Sequence, residues 1–431
     1  MTEIIEIFAR AILDSRGTPT IEVDVVLADG VHGRASIPSG VSTGSYESVE
    51  LRDKDMRRYG GKGVQKAING IREIISPEIC GLDVFEQDLI DRVMCHLDDT
   101  ENKAMLGANA LLAVSLAVAQ AAAKSLGMPL YRYLGGVQAC VLPVPLCSMI
   151  SGGMRTDNDL DVQEISVAPV GFGSYSEAIR ATSEVTQALR VVLREKGYHI
   201  GVSDEGGFIP QIASIKEGFD LILTAVEKVG YRPEKHFYIG IDCAASEFYN
   251  AENKCYELIG ENRHVSSEEL AALYDALIQG YPILGIEDPF DQDDWEAWSA
   301  FTKKHPDIHI IGDDLFATNV NRIRRGVMGR AANALVIKPN QVGTLTEALR
   351  ASRFAQRHSM STIIAHRSGE TEDTFIADLC VATQSRLFKA GGISHSERIS
   401  KYNQLLRIEE ALGEDAAYYG RLAIRGTNII P

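Results

Sequence analysis

A regular alternation of short apolar runs and helical segments after residue 160 constrains the fold more than any other feature of this sequence. Eight runs predict strands, at 161–169, 199–203, 237–242, 283–287, 308–312, 334–338, 362–366 and 387–389. Most of them are separated by segments with helical periodicity. This rhythm favours a parallel (βα)8 barrel over an open doubly wound sheet, because no GxGxxG motif follows a predicted strand.

The first third of the chain has a different organisation. Strand-like runs at 4–13, 20–27 and 31–37 come first, and helical patterns follow at 62–75, 84–97 and 107–127. Turn signals that contain Gly17 and Gly30 separate the runs. Strands and then helices in blocks predict a separate α+β domain. We therefore expect an α/β protein with an N-terminal α+β domain at 1–136 and a barrel at 137–431, joined by a linker near 135–145.

Composition limits the classes of partner and the compartment. The chain has 43 Lys+Arg and 59 Asp+Glu, for a net charge of −16, so we expect no nucleic-acid partner. The most lipid-like run, 108–123, is shorter than the roughly 20 residues that span a bilayer, so we expect a buried helix and no membrane association. Seven cysteines without a CxxC pair, and an N-terminus interrupted by charges, predict a cytoplasmic location.

Ionisable residues stand at or near the ends of the predicted barrel strands. In chain order they are Glu164, Glu205, Asp242, Glu287, Asp313, Lys338, His366 with Arg367, and Lys389. Only Glu164 lies inside its predicted strand. Because the carboxyl ends of barrel strands open on one face, where the active sites of this fold lie, such a series favours a site over ordinary solvation of strand ends.

The three carboxylates Asp242, Glu287 and Asp313 follow consecutive predicted strands. Converging carboxylates repel one another strongly unless a cation lies between them. Hard divalent ions such as Mg2+ prefer oxygen ligands. The pattern therefore predicts a metal site, although each acid taken alone is equally consistent with a helix cap or a surface ion pair.

Basic groups at the same predicted face add a second chemical class. Lys338 and Lys389 are candidate proton acceptors if neighbouring cations lower their pKa, and each alone is also consistent with a solvated strand end. Arg367 suits a phosphate or a carboxylate, which it can contact in bidentate fashion. The glycine-rich segment 38–44 is either a mobile lid, an anion cradle or an ordinary loop.

A metal, a lysine base, an acid and anion-binding groups together suit proton removal next to a carboxylate through an enediolate. This combination is already known for the enolase superfamily. The chain resembles the enolase family from end to end. The matching motifs are DSRGTPT at 14–20, PSGVSTG at 38–44, SDEGGF at 203–208, DCAASEFY at 242–249, IEDPF at 286–290, GDDLF at 312–316, IKPNQVGTLTE at 337–347, HRSGETED at 366–373 and KYNQLLRIEEALG at 401–413.

The resemblance implies an enolase-type modified (β/α)8 barrel with one antiparallel strand, in place of a uniform barrel. It implies two Mg2+ ions, the first held by Asp242, Glu287 and Asp313. The second would arrive with the substrate and use Ser42 from the mobile loop 38–44. The family is typically a cytosolic homodimer, with larger rings in some bacteria.

The resemblance also assigns roles to the other residues. Lys338 matches the base that removes the α-proton, and Glu205 with Glu164 match the pair that handles the leaving hydroxyl. The expected substrate-binding residues are Arg155, Gln163, His366, Arg367, Ser368 and Lys389, with Arg367 and Ser368 at the phosphate and Lys389 at the carboxylate. The expected substrate is a small phosphorylated or phosphonylated carboxylic acid.

The chain departs from the family pattern mainly in one loop. Arg155 stands where the family has histidine, Thr156 where it has alanine and Ser151 where it has asparagine, while Ala390 and His395 are further departures. These changes leave three hypotheses: dehydration of 2-phosphoglycerate to phosphoenolpyruvate, an enolase-like paralogue of specialised metabolism such as carboxyphosphonoenolpyruvate synthase, and a non-catalytic binding or structural role. The retained metal and proton-transfer residues argue against the third hypothesis.

Overall fold

The N-terminal region of the computed structural model, which describes residues 2–40 and 44–427, is built on a small antiparallel sheet. Its strands are β1 (Ile4–Leu13), β2 (Pro19–Leu27) and β3 (His32–Ser36), in that order. The turns between them contain Gly17 at φ 70 and Gly30 at φ 85, where a side chain would be strained. The predicted meander is therefore present, with its turns at the predicted glycines.

Five α-helices are found in the part of this region that the structure describes. They are α1 (Gln65–Gly70), α2 (Ser76–Ile79), α3 (Gln87–Asp98), α4 (Ala108–Ser125) and α5 (Leu130–Gly135). Helix α4 packs against β2 and β3, and Gly33 is required there because a Cβ would come within 2.2 Å of the Ala117 carbonyl oxygen. By length and composition α4 resembles a membrane span, but 83% of that stretch is buried inside the fold. The predicted buried helix is confirmed.

The rest of the described chain forms a closed eight-stranded barrel with helices around it. The strands of this part are β4 (Val141–Leu142), β5 (Val144–Ser151), β6 (Glu164–Ala168), β7 (Tyr238–Asp242), β8 (Tyr249–Asn250), β9 (Cys255–Leu258), β10 (Arg263–Val265), β11 (Ile283–Glu287), β12 (His309–Gly312), β13 (Ala334–Ile337), β14 (Ser361–Ala365), β15 (Leu387–Lys389) and β16 (Ala417–Tyr418). The barrel order is β11-β12-β13-β14-β15-β5-β6-β7, β8 to β10 form a small separate sheet, and β4 pairs with β16.

Eight helices accompany these strands. They are α6 (Tyr175–Glu195), α7 (Ile215–Lys228), α8 (Ser267–Gly280), α9 (Trp295–Lys304), α10 (Val320–Gly329), α11 (Leu345–Arg357), α12 (Phe375–Ala382) and α13 (Ser396–Leu412). Within the barrel, β6 runs antiparallel to both β5 and β7, whereas the other barrel pairs are parallel. The modified barrel implied by the resemblance is confirmed.

Two sequence-based assignments in the barrel were wrong. The first barrel strand is β5, which begins inside the predicted linker, because Pro143 and Pro145 made this apolar run resemble a connection. Pro145 is nevertheless accommodated opposite Phe388 of β15. The predicted strand at 199–203 is not a barrel strand, since β6 and β7 pair directly with each other and leave no edge for it.

The inverted strand explains the paired helices α6 and α7. Strand β6 ends at the opposite end of the barrel from the strands that run parallel to one another, and β7 begins at that same end. Between β6 and β7 the chain must therefore run along the outside of the barrel twice, once through α6 and once back through α7. The connection between α6 and α7 consequently lies at the end where the parallel strands finish, and it carries Glu205 there without a strand.

The N-terminal region is attached to the loop that follows β14. The Ser36 amide donates to Asp373 Oδ2 at 2.9 Å, and the Ser15 amide donates to the Glu370 carbonyl at 2.7 Å. A third bond joins the N-terminal region to the start of α11, where the Leu345 amide donates to Ser115 Oγ of α4 at 3.0 Å. These contacts place the segment after β3 over the open end of the barrel.

Candidate active site

A polar cavity lies at the carboxyl ends of the parallel barrel strands. The described residues that line it are Glu47, Gln163, Glu205, Asp242, Ala244, Asp288, Asp313, Asp314, Lys338, Ala365, His366, Arg367, Ser368 and Lys389. Glu164 and Glu287 line a smaller void next to it, which shares Asp242 and Lys389 with the cavity. The structure thus brings together eleven of the thirteen predicted site residues; the other two are Ser42 and Arg155.

Lys389 joins two of the three predicted metal ligands. Its Nζ donates to Asp242 Oδ2 at 2.6 Å and to Glu287 Oε1 at 2.9 Å, and all three side chains are buried. Burial and the neighbouring Asp242 carboxylate raise the pKa of Glu287 well above its ordinary value, although Lys389 opposes this. Two carboxyl groups thus share one ammonium group, and a proton on Glu287 or a bound cation would relieve the repulsion between them.

The third predicted ligand, Asp313, is bound by Lys338. Lys338 Nζ donates to Asp313 Oδ2, and Gln341 Nε2 donates to Asp313 Oδ1 at 3.0 Å. Burial raises the pKa of Asp313, but the Lys338 ammonium outweighs it, so the pKa is lowered. Burial likewise acts to lower the pKa of Lys338, and the Asp313 carboxylate instead holds it above its ordinary value. The base and the ligand are thus a mutually stabilised ion pair.

The donor set suits a hard divalent cation. Six carboxyl groups and three basic side chains, Lys338, Arg367 and Lys389, are among the described residues that line the cavity. Among the described residues, two groups have ligand atoms within 4.8 Å of one another: Glu164, Glu205 and His366, and Asp288, Asp313 and Asp314. Only Asp313 of the three predicted ligands belongs to either group. The buried carboxylate oxygens fit Mg2+, and an ion held by Asp242, Glu287 and Asp313 would compete with the bonds that Lys389 and Lys338 make to them.

Glu164 is a buried carboxylate at the start of β6. It is 2% exposed, and neither of its oxygens has a hydrogen-bond partner within the described chain. Burial raises its pKa to about 7, with Lys389 lowering it and Glu205 raising it. A carboxyl group with this pKa can hold or release a proton near neutral pH.

Glu205 lies on the connection between α6 and α7 and reaches the cavity from the side of β6. Its Oε1 accepts a hydrogen bond from Ser368 Oγ at 2.8 Å. The two acids Glu164 and Glu205 are therefore neighbours, as the first of the two compact groups indicates. Gln163 lies beside them and donates from Nε2 to Asp242 Oδ2 at 3.3 Å.

Two buried residues hold the loop 366–368 in place. The Arg398 guanidinium is 0% exposed and donates to His366 Nδ1, to the Arg367 carbonyl at 2.6 Å and to the Ser368 carbonyl at 2.6 Å. Burial, and then the Arg398 charge, lower the pKa of His366 well below its ordinary value, so its imidazole is neutral. Glu47 from the N-terminal region binds the Arg367 guanidinium, with Nη1 donating to Oε2 at 2.9 Å.

Two predicted residues lie beyond this description. Ser42, the predicted ligand of the second Mg2+, falls in 41–43, outside the described residues, together with most of the centre of the predicted lid. The backbone of Arg155 belongs to a short helical turn, Gly153–Arg155, but its side chain is outside the description. Both assignments stay predictions.

Sequence reasoning missed several residues that shape the cavity. Glu47 follows the motif at 38–44, whereas Asp288 and Asp314 lie inside motifs that we quoted only for their neighbours. Asp288 accepts bonds from the Asp313 and Asp314 amides at 2.9 Å each, so it fixes the turn after β12. Burial, and then repulsion from Asp313, raise the pKa of Asp314 to about 7. Adjacent acids in IEDPF and GDDLF were the available signal.

Two of the positions that depart from the family pattern, Ser151 and His395, contact the segment that carries Glu205. Ser151 Oγ lies 2.8 Å from Ser203 Oγ, and His395 Nε2 lies 3.2 Å from the Ser203 carbonyl. The Asn158 amide in the same loop donates to the Ser151 carbonyl at 2.9 Å. A third departure, Ala390, lies elsewhere in the site and directly follows Lys389.

Comparison with known protein families agrees with this architecture. A family model described as the enolase N-terminal domain matches residues 4–134. A second, described as the enolase C-terminal TIM barrel domain, matches residues 139–427.

Proposed function

The chain belongs to the enolase family of lyases, and we propose that it dehydrates 2-phosphoglycerate to phosphoenolpyruvate, or a close analogue, with Mg2+. The observation that carries this proposal is the joint presence of a buried lysine, two neighbouring acids and a surplus of carboxylates at one end of the barrel. This dehydration requires a base that removes the proton next to the carboxylate. It also requires a proton donor for the hydroxyl that leaves.

Lys338 is the proposed base. Burial alone would lower its pKa, and the Asp313 carboxylate holds the pKa up. A cation held by Asp313 would compete with Lys338 for this carboxylate, and the amine would then be a better proton acceptor. Lys338 Nζ then takes the α-proton, and the electron pair left on the α-carbon forms the enediolate of the substrate.

Glu205 and Glu164 are the proposed partners of the leaving hydroxyl. Glu164 has a pKa of about 7 and no hydrogen-bond partner in the described chain, so it can supply or hold a proton for its neighbour. The β-hydroxyl departs with a proton as water while the double bond forms. Ser368 orients Glu205 for this step through its bond at 2.8 Å.

The remaining charged groups would bind the substrate and its metal. We propose that Asp242, Glu287 and Asp313 hold one Mg2+ and that a second ion arrives with the substrate and uses Ser42. Bound there, Mg2+ would polarise the substrate carboxylate and balance its developing charge. Arg367 and Ser368 would bind the phosphate, Lys389 the carboxylate end, and Gln163 and His366 would contribute further polar contacts.

A turnover assay tests the proposal directly. Purified protein with 2-phosphoglycerate and Mg2+ should give a rising ultraviolet absorbance from the enolpyruvate product. The same mixture with an excess of chelator should give none. Robust turnover in the chelator, or no turnover in saturating Mg2+, would contradict the assignment.

A second candidate is an enolase-like paralogue that forms a modified enolpyruvate, such as carboxyphosphonoenolpyruvate synthase. The two departures that contact Ser203, Ser151 and His395, favour it, because they flank the segment that carries Glu205. Phosphonate-pathway genes beside this gene would support the paralogue, whereas glycolytic genes would support the first candidate.

The assembly and the compartment remain part of the proposal. We expect a cytoplasmic homodimer or a larger ring without a nucleic-acid or membrane partner. The exposed apolar side chains Ile5, Phe8 and Leu13 on the edge strand β1 are 55%, 45% and 59% exposed, and they support self-association. Light scattering coupled to size-exclusion chromatography measures the mass.

A further inference from the structure

A cavity of about 910 Å3 lies at the end of the barrel opposite the candidate active site. Asp307 lies just before β12, Ser361 begins β14, and Arg386 directly precedes β15. The catalytic candidates lie at the other ends of these same strands. The two cavities therefore have no lining residue in common among those described.

The lining of this cavity is cationic. It contains the guanidinium groups of Arg353, Arg386 and Arg425, and Asp307 is the one acid among the lining residues that the structure describes. In a chain with a net charge of −16, this is a local reversal of sign. Arginine forks suit the bidentate recognition of phosphate and carboxylate groups.

Two of these arginines have no partner for their charge in the part of the chain that the structure describes. Arg353 and Arg386 are both exposed, and within the residues described neither makes a side-chain hydrogen bond or an ion pair. Arg425 donates to the carbonyls of Pro306 at 3.2 Å and Asn333 at 3.1 Å, which fix its position but not its charge.

The charges of neighbouring guanidinium groups oppose one another at Arg425. Burial and then the charge of Arg386 lower the pKa of Arg425, and the weaker attraction of Asp307 opposes them. An anion between Arg386 and Arg425 would remove this repulsion. The arrangement therefore has electrostatic free energy to gain from binding an anion.

The remaining lining is mainly polar, with a smaller apolar part and one buried hydroxyl group that lacks a partner among the residues described. Leu134, Leu349, Met360 and Tyr419 contribute the apolar and aromatic surface. Ser352 is 2% exposed, and its Oγ has no hydrogen-bond partner within the described chain. The volume lies within the range of roughly 300–1,000 Å3 that is usual for small-molecule sites.

We propose that this cavity is a second binding site, for a small organic phosphate that has an apolar or aromatic body. Arg386, Arg353 and Arg425 bind the phosphate, and the body packs against Leu349 and Tyr419. The proposal is independent of the reaction at the other end of the barrel.

Calorimetric titration without divalent ions tests the site, with adenosine monophosphate, adenosine and inorganic phosphate as probes. Adenosine monophosphate should bind, inorganic phosphate should bind more weakly, and adenosine should not bind measurably. Equal affinity for inorganic phosphate would overturn the role of the organic body. Equal affinity for adenosine would overturn the role of the phosphate.

Substitutions locate the binding. Arg386→Gln and Arg353→Gln should each weaken the binding of adenosine monophosphate by about tenfold or more, because each removes a charge-assisted contact. Arg357→Gln is the matched control: this arginine is exposed one helical turn after Arg353 on α11 and does not line the cavity. Equal affinities in all three variants, as binding at the active site would give, overturn the proposal.

A shortened chain provides the final control. A variant that ends at Thr427 lacks 428–431, which follow the last described lining residue. It should bind adenosine monophosphate with unchanged or higher affinity, and loss of binding in this variant overturns the site as defined by the three arginines. Thermal unfolding of every variant confirms that it is folded.

Discussion

Glu164 lies directly opposite Asp242 in the register of β6 and β7, although Glu164 begins its strand and Asp242 ends its strand. This is possible only because β6 is antiparallel to its neighbour. The inversion places a carboxylate from the start of one strand among groups from the ends of the others. It also puts the proposed proton donor next to a proposed metal ligand.

Substitution of Lys338 tests the proposed base. Lys338→Met should lower kcat on the order of 10^2 to 10^4-fold, because a positioned general base contributes about that much. It should also abolish exchange of the substrate α-proton with solvent. Lys303→Met, at an exposed lysine on α9, is the matched control and should leave both rates unchanged. Retained α-proton exchange in Lys338→Met would rule this lysine out as the base.

Substitution of Asp313 tests the metal site. Asp313→Asn keeps the shape of the side chain but removes a charged oxygen, so we expect Mg2+ affinity to fall by about tenfold or more in calorimetric titration. Excess Mg2+ should restore activity only in part, since Lys338 also loses its partner. Asp307→Asn, before the opposite end of β12, is the control. Unchanged Mg2+ affinity in Asp313→Asn would show that Asp313 is not a ligand.

We expect the ionised Glu164 carboxylate to lower the free energy of unfolding and to contribute to catalysis. Its folded-state pKa of about 7 lies above its ordinary value of 4.5. The contribution of this group to stability is therefore fully present below pH 4.5 and is lost as the pH rises through about 7. At pH 8 this cost is on the order of 3 kcal/mol. Glu164→Gln should therefore raise the free energy of unfolding of the metal-free protein at pH 8, measured with urea, and lower kcat.

The control for this experiment is Glu227→Gln, at an exposed position on α7. This substitution should change neither the free energy of unfolding at pH 8 nor kcat. A metal-free Glu164→Gln protein that is less stable than the wild type at pH 8 would mean that the Glu164 carboxylate is satisfied by contacts that the structure does not contain.

His309 should make the fold sensitive to acid. It is 0% exposed, its Nε2 lies 2.7 Å from the Ala423 carbonyl, and burial lowers its pKa from 6.5 to about 4. His309 is therefore protonated at a higher pH in the unfolded state than in the folded state. The free energy of unfolding falls by about 3 kcal/mol as the pH drops from about 6.5 toward 4. Urea unfolding of wild type and His309→Gln at pH 7 and pH 5 measures this.

We expect the difference between the two pH values to be smaller in His309→Gln than in the wild type. His264→Gln, at an exposed histidine on β10, should behave as the wild type does. An identical pH dependence in all three proteins would assign the acid sensitivity to other groups.

Arg155 is the departure with the largest change in charge. Arginine is longer than histidine and always charged, so on a loop beside the substrate it alters both volume and anion capacity. We expect Arg155→His to raise kcat/KM for 2-phosphoglycerate and to weaken turnover of any substrate with an additional anionic group by roughly 30-fold or more. Identical kinetics in both proteins would make Arg155 irrelevant to substrate choice.

Much of the site followed from one regularity in the sequence. Asp242, Glu287 and Asp313 were found because parallel strands in a barrel end on one face, so apolar runs that finish in a charged residue predict a cluster. Lys338 and Lys389 followed for the same reason. The structure brings these five groups together, and two lysines contact all three carboxylates.

Other parts were beyond local sequence patterns. The strand β5 was missed because Pro145 normally argues against a barrel strand, and a pairing partner is visible only in three dimensions. Glu205 was expected at the end of a strand but lies on a helix connection, whose position depends on the inverted β6. Glu47 was missed because its partner Arg367 is 320 residues away.

The ion pair between Glu47 and Arg367 has a consequence for how such chains can evolve. Both side chains are almost fully buried, at 5% and 4% exposed, and they belong to different regions of the chain. An exchanged N-terminal region that covers Arg367 but lacks the acid at position 47 would leave a buried guanidinium without its bidentate carboxylate, which is costly. Gene fission or exchange of the N-terminal region between relatives should therefore succeed only where the incoming segment carries this acid. The two regions are expected to be inherited as one recombination unit.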